Sequence, residues 1–147
     1  NFNHISNLSF LIKLNISNTK LYECTLSSLS NLINLEYLCL KRSRITGNVE
    51  ELSNLSKLKY LDLYGNHGIC GNFSFLKKLI NLEKFCSGKT NIIGDLEEFS
   101  HLLLLKTLHL DHTYEHQMTG DLSSLSTLIS LQDIALFFNE IRSNINC

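Results

Sequence analysis

Apolar residues recur along this chain in a fixed order that is neither the 3.6-residue period of a long helix nor an unbroken strand alternation. Between Leu32 and Leu55 the order is Leu32-x-x-Leu35-x-x-Leu38-x-Leu40-x-x-Ser43-x-Ile45-x-Gly47-x-Val49-x-x-Leu52, and Leu55 opens the next copy. The pair separated by one position returns at Leu14/Ile16, Leu38/Leu40, Leu61/Leu63, Phe85/Ser87, Leu108/Leu110 and Ile134/Leu136. The steps between first members are about 24, 23, 24, 23 and 26 residues, inside the ~20 to 50 residue periods that mark stacked arrays.

Each pair reads as a short strand, because inward and outward residues alternate with a period of two, and successive copies lay these strands side by side in parallel. The residues between the paired apolar positions then face an open surface: Asn15, Cys39, Asp62, Cys86, His109 and Ala135. Before them runs the column Lys13, Tyr37, Tyr60, Lys84, Thr107, Asp133, and after them Ser17, Lys41, Tyr64, Gly88, Asp111, Phe137. A small polar residue follows each strand (Thr19, Ser43, Asn66, Thr90, Thr113, Asn139), placed to satisfy turn backbone that would otherwise be buried unpaired. Gly47, Gly71, Gly94 and Gly120 then turn the chain, followed by Asn48, Asn72, Asp95 and Asp121 as helix N-caps,. Asn48 with Glu51, and Asp95 with Glu98, have capping-box spacing. Leucines three apart beyond the caps suit a single turn of α or 3₁₀ helix.

Irregular copies stand out against this template. The first has Glu23 in place of the Gly and the last has Ser143. Phe85 and Ser87 replace two aliphatics, which predicts a local packing change, and with Gly88 beside them that strand is expected to be the weakest. About three extra residues between Leu110 and Met118 predict a loop bulging from the sheet edge,.

The registered Leu-x-x-Leu-x-Leu units resemble leucine-rich repeats over essentially the whole length, with a period inside that family's ~20 to 29 residues. The tails Ile45-Thr46-Gly47-Asn48-Val49, Ile69-Cys70-Gly71-Asn72-Phe73, Ile92-Ile93-Gly94-Asp95-Leu96 and Met118-Thr119-Gly120-Asp121-Leu122 resemble the long plant-type subclass. That subclass continues Gly-x-Ile-Pro, and this chain has no Pro. The resemblance implies an α/β fold: a right-handed leucine-rich-repeat solenoid with a parallel sheet on its concave face and short helical turns on its convex face. It also implies that the small polar column points inward, and that the curved surface binds other macromolecules. Residues 1–147 are expected to be one array of about six repeats. Arrays need polar caps, and the chain runs from within one repeat to partway through another, so a fragment of a longer protein is expected.

Composition narrows the partner. Thirteen basic and 14 acidic residues give a net charge of -1, which offers no electrostatic reason to bind nucleic acid. No apolar run approaches the ~18 to 20 residues of a membrane span. Five cysteines form no flanking pairs, and Cys39 and Cys86 lie two strands apart, about 10 Å, beyond disulfide reach. Free thiols and a reducing, intracellular compartment are favoured. Sequons at Asn7, Asn15, Asn54 and Asn72 speak for the opposite setting, at a number near chance expectation.

The partner surface is expected on the concave face, at Tyr37, Tyr60, Asp62, Tyr64, Lys84, His109 and Asp111, with Tyr114 on the loop from Asp111 to Gln117. Exposed aromatics are enriched at interface hot spots, although tyrosine also favours strands for its own sake. Phe137 and Phe138 stand toward the C-terminal end and could instead pack under a further repeat.

Asp62, Cys86 and His109 on successive strands are the one constellation with catalytic character. They are expected to stand on an open face without oxyanion donors, pocket or exclusion of water, so no enzyme activity is expected. His109, His112 and His116, with Asp111 and Cys86, lack the paired ligands of a structural zinc site. No cofactor or metal is expected, and Gly65-Asn66-His67-Gly68 lacks the Lys-Ser/Thr of a phosphate-binding loop. The function expected is a non-catalytic protein-interaction module or scaffold, with a fragment of a secreted or cell-surface recognition ectodomain as the alternative.

Overall fold

The structure, a computed structural model, describes residues 2–111 and 118–136. Strands Lys13–Asn15, Tyr37–Cys39, Tyr60–Asp62, Lys84–Cys86, Thr107–His109 and Asp133–Ala135 form one parallel sheet in chain order. Pairing follows the repeat: Lys13 lies opposite Tyr37, Tyr37 opposite Tyr60, and Tyr60 opposite Lys84. The columns of the sequence are therefore physical rows across the concave face.

Behind the sheet the core is a linear stack. Leu38, Leu61, Phe85 and Leu108 from the strands meet Val49, Leu52, Leu55 and Leu58 from the turns, all fully buried. The turns are 3₁₀ helices, among them Leu26–Leu29, Val49–Leu52, Phe73–Lys78, Leu96–Phe99 and Leu122–Thr127. Apolar residues three apart eclipse in that geometry, and so present one buried face. The cap side chains of Asn48, Asn72, Asp95 and Asp121 accept backbone N–H bonds two residues on, at 3.0, 2.8, 2.9 and 2.7 Å. Burial raises the pKa of the Glu98 carboxyl, while the nearby Asp95 backbone draws it down, the influence expected across a capping box.

The first turn departs from expectation. Thr25 is the residue preceding helix Leu26–Leu29, so Cys24, and not Glu23, stands where later repeats carry Gly. The reason is turn length: Thr19 to Thr25 is one residue longer than Ser43 to Asn48. Gly elsewhere is required by close stacking as well as by backbone conformation. A Cβ on Gly71, whose φ is +125°, would come within 2.5 Å of the Asn48 cap oxygen in the repeat before it.

A second parallel ladder joins Gly47–Asn48, Ile69–Asn72, Asn91–Asp95 and Met118–Thr119. Its register slips relative to the repeat, with Gly71 opposite Ile92 and Gly94 opposite Met118.

In the described residues the polar column points inward. Thr19, Ser43 and Thr90 hydroxyls each donate at 2.6 Å to the carbonyls of Ile16, Leu40 and Ser87. Asn66 does more: its amide donates to Leu63 at 2.8 Å and across the repeat to Leu40 at 2.7 Å, while its oxygen accepts from the Ser43 N–H at 3.1 Å. The packing change at Phe85 is an aromatic cluster, with Phe73, Phe75 and Phe99 centroids at 6.0, 6.1 and 5.9 Å. Ser87 is buried with no partner for its hydroxyl among the described residues. Backbone pairing nevertheless runs on through this strand on both sides, from Leu63 to Cys86 at 2.7 Å and from Ser87 to His109 at 3.0 Å.

Just before the strands, charges alternate from repeat to repeat, with Glu36 paired to Lys59 at 2.8 Å and Glu83 to Lys106 at 2.7 Å. The loop residues His112, Thr113, Tyr114, His116 and Gln117, and Phe137, Phe138, Asn139 and Ser143, lie outside the described residues.

Candidate binding face

Parallel in-register pairing puts like positions about 4.8 Å apart, close enough for flat side chains to stack along a row. Tyr37 and Tyr60 do so, with centroids 4.2 Å apart and planes 16° from parallel. Lys13 covers the outer face of Tyr37 at 4.5 Å, and Lys84 lies over Tyr60 at 5.4 Å. The result is a cation–ring–ring–cation row across four strands, of a kind worth about 0.5 to 1 kcal/mol per cation contact at exposed sites. In the third row Tyr64 is surrounded by Lys41 at 5.4 Å, Arg42 at 5.7 Å and Lys89 at 5.8 Å. Gly88 makes room for it, since a Cβ there would sit 3.0 Å from the ring and 2.9 Å from the Asp111 carbonyl.

The central row corrects the picture of an open face. Cys39, Asp62 and Cys86 are only 6, 6 and 5% exposed. The rows that flank it carry much larger side chains, Tyr37, Tyr60 and Lys84 before it and Lys41 and Tyr64 after it. Nor is the face without a pocket: Lys41, Asp62, Tyr64, Lys84, Cys86, His109 and Asp111 line a concavity of about 340 Å³. Asp62 accepts the Tyr64 N–H at 3.0 Å, and His109 meets Asp133 at 2.8 Å. One carboxylate oxygen of Asp111 is buried with no partner among the described residues.

Of the residues expected to bind a partner, Tyr37, Tyr60, Asp62, Tyr64, Lys84, His109 and Asp111 thus share one face, five of them around the concavity. Tyr114 lies outside the described residues. Lys13, Lys41, Arg42 and Lys89 were not singled out by the sequence pattern. Lys13 and Lys41 fall in its flanking columns, whereas nothing in the repeat template marks Arg42 or Lys89. Their signal is in the backbone. Asn18, Arg42, Gly65 and Lys89 occupy one position, just before the polar column, with φ of 57, 51, 74 and 57°. Gly and Asn adopt that left-handed conformation readily, but Arg and Lys incur about 1 kcal/mol each.

The concavity does not activate its thiol. Burial, and then the negative charge of Asp62, push Cys86 from the ordinary 9.0 up to about 12, so it is a thiol at neutral pH and a poor nucleophile. A raised folded-state pKa contributes stability that is present below the unfolded value and lost as pH rises through the folded one. Stability is therefore expected to fall between pH 9 and about 12, and Cys86→Ala to flatten that fall in a series of thermal melts. Burial likewise raises the Tyr60 phenol, with Asp62 adding to it, leaving a neutral hydroxyl on the face. Cys24, Cys39, Cys70 and Cys86 are free. Among the described residues no group of three or more His, Cys, Asp or Glu could hold a metal, and no helix is long and apolar enough to cross a membrane.

Strand, inward polar residue, capped 3₁₀ turn and return to the next strand define a leucine-rich-repeat solenoid. No family model matches the chain, and no curated protein matches its sequence. Solved structures do match. Internalin C2 of Listeria monocytogenes superposes with a TM-score of 0.77 at 27% identity, over 99% of this chain and 60% of that one. The leucine-rich-repeat ectodomain of the Arabidopsis thaliana membrane receptor kinase GASSHO1/SCHENGEN3 gives 0.74 at 19% identity, over 95% and 17%. A leucine-rich-repeat protein of Leptospira interrogans gives 0.65 at 21% identity, over 95% and 40%. The chain is a leucine-rich-repeat protein, and it spans less than two thirds of the length of each of these three.

Proposed function

We propose that the chain is a non-catalytic protein-interaction module that holds a partner against its concave face. The observation that carries this reading is the stacked Tyr37–Tyr60 pair held between Lys13 and Lys84. Its rings are fixed before any partner arrives, so little side-chain entropy remains to be lost on binding, and each ring still offers an edge and a hydroxyl. Tyr64 extends the aromatic surface across the concavity. Among the structural neighbours, the receptor-kinase ectodomain is in complex with Casparian strip integrity factor 2, which supports a binding role for this architecture by analogy.

Tyr60→Ala is the direct test. Tyr60 is half-exposed and outside the core, so the melting temperature is expected to fall by only a few degrees, from the lost stacking and Lys84 contact,, while capture of the native partner falls at least tenfold, as loss of a hot-spot aromatic does. Unchanged capture would move the partner surface elsewhere. A secreted or cell-surface setting is the second reading, favoured by the exposed Asn54 sequon; sugar found on Asn54 by mass spectrometry of the native protein would establish it.

A further inference from the structure

The concave face combines surface cations with sunken acids. Lys13, Lys41 and Arg42 are exposed, and Lys84 and Lys89 half-exposed. Among the described residues none of these five lies within salt-bridge distance of a carboxylate, whereas the off-face lysines Lys59 and Lys106 are both paired. Two acids of the face are engaged, Asp62 buried and holding a backbone N–H and Asp133 taken by His109; the third, Asp111, is half-buried with one carboxylate oxygen turned away from solvent. The tyrosine rings, for their part, are occupied by the protein's own cations, so an incoming basic side chain finds no open ring and meets like charge.

Backbone strain points the same way. Arg42 and Lys89 stand in left-handed positions that Gly65 fills at no steric cost, and strain of this kind collects at functional sites. The two cations are kept there, one strand to either side of Gly65, over the Tyr64 ring.

We infer that the face takes an extended acidic segment of a protein partner, its Asp or Glu carboxylates meeting Lys13, Lys41, Arg42, Lys84 and Lys89 while its intervening residues pack against the edges and hydroxyls of Tyr37, Tyr60 and Tyr64. This rests on the concave-face reading above. A protein segment is favoured over a nucleic acid because the chain as a whole carries a charge of -1. That near-neutral balance gives a long polyanion no attraction at a distance, while a few local carboxylates feel the nearby cations, within a Debye length of about 8 Å.

The test uses the full chain and three fluorescein-labelled probes read by anisotropy: an oligoglutamate, an oligolysine and an oligothymidine. About ten residues suffice for the peptides, since at ~3.3 Å per residue they cross the four strands. The oligoglutamate is expected to bind, and more weakly as salt is raised. Arg42→Gly with Lys89→Gly, combined with Lys41→Ala and Lys84→Ala, is expected to weaken it about tenfold, the product of four exposed charge contacts. The glycine pair relieves the left-handed turns, so a retained or raised melting temperature separates lost binding from lost folding.

Oligoglutamate binding that survives all four substitutions, oligolysine binding as well as oligoglutamate, or oligothymidine binding more tightly would each overturn the inference. A native partner lost on Tyr60→Ala, with no oligoglutamate binding, leaves the concave face as the partner surface and removes its acidic assignment alone.

Discussion

Phe85→Ala is expected to destabilise the chain by about 4 kcal/mol, in the range for truncating a buried Phe, and against the ~5 to 15 kcal/mol that holds a typical domain together. The reason is where the ring sits. Phe85 is fully buried and touches Phe73 and Phe75 from the turn before its strand and Phe99 from the turn after it. Truncation opens a cavity at the junction of two repeats, and in a linear array that junction is the only contact between the halves on either side. Urea unfolding followed by circular dichroism reads both effects: a lower midpoint, and a transition broadened or split as the halves uncouple. Phe85→Leu supplies the residue most other repeats carry and should cost under about 1.5 kcal/mol. An Ala variant as stable as the Leu variant would show that the cluster does not hold the junction.

Asn66→Ala is expected to cost about 3 kcal/mol. No apolar volume of consequence is lost. What is lost is the pairing of two buried carbonyls, Leu40 and Leu63, and of the Ser43 N–H, and a buried polar group left unpaired costs roughly 1 to 3 kcal/mol. Asn66→Ser separates the contributions. Ser43 in the same position of the preceding repeat bonds one backbone carbonyl, three residues back, besides meeting the Asn66 oxygen, so serine should restore the Leu63 bond and leave Leu40 unpaired, recovering about half of the loss. Thermal melts of the three proteins side by side give the answer.

The parts of this molecule legible in its sequence are those that each repeat specifies for itself. Leu38 and Leu61, Ser43 and Thr90, and Asn48 and Asp95 recur at fixed offsets because each meets the same local need, and all sit where those offsets place them. The burial of Asp62 and Cys86 is another matter. It depends on the size of the residues in the flanking rows, Tyr37, Tyr60, Tyr64 and Lys84 among them, and the repeat period does not specify which residues those are. The concavity follows from the same fact, helped by Gly88, whose missing side chain admits Tyr64. Arg42 and Lys89 escape the template for a different reason: their contribution begins with a backbone conformation that Gly65 and Asn18 reveal only when all four φ angles are compared. Glu23 shows the converse. Counting forward from Thr19 misplaces the Gly position by one, because turn length varies while the extended backbone of the residue before each helix does not.

The alternating row of Glu36, Lys59, Glu83 and Lys106 constrains how such a chain can be lengthened or shortened by recombination. Excising the single repeat that carries Lys59 would set Glu36 beside Glu83, exchanging an exposed attraction for an exposed repulsion,. Excising two consecutive repeats keeps opposite signs adjacent. The inheritable module of this stretch is accordingly the pair of repeats, and a gene that grew here by duplication would have met least resistance by copying two units at a time.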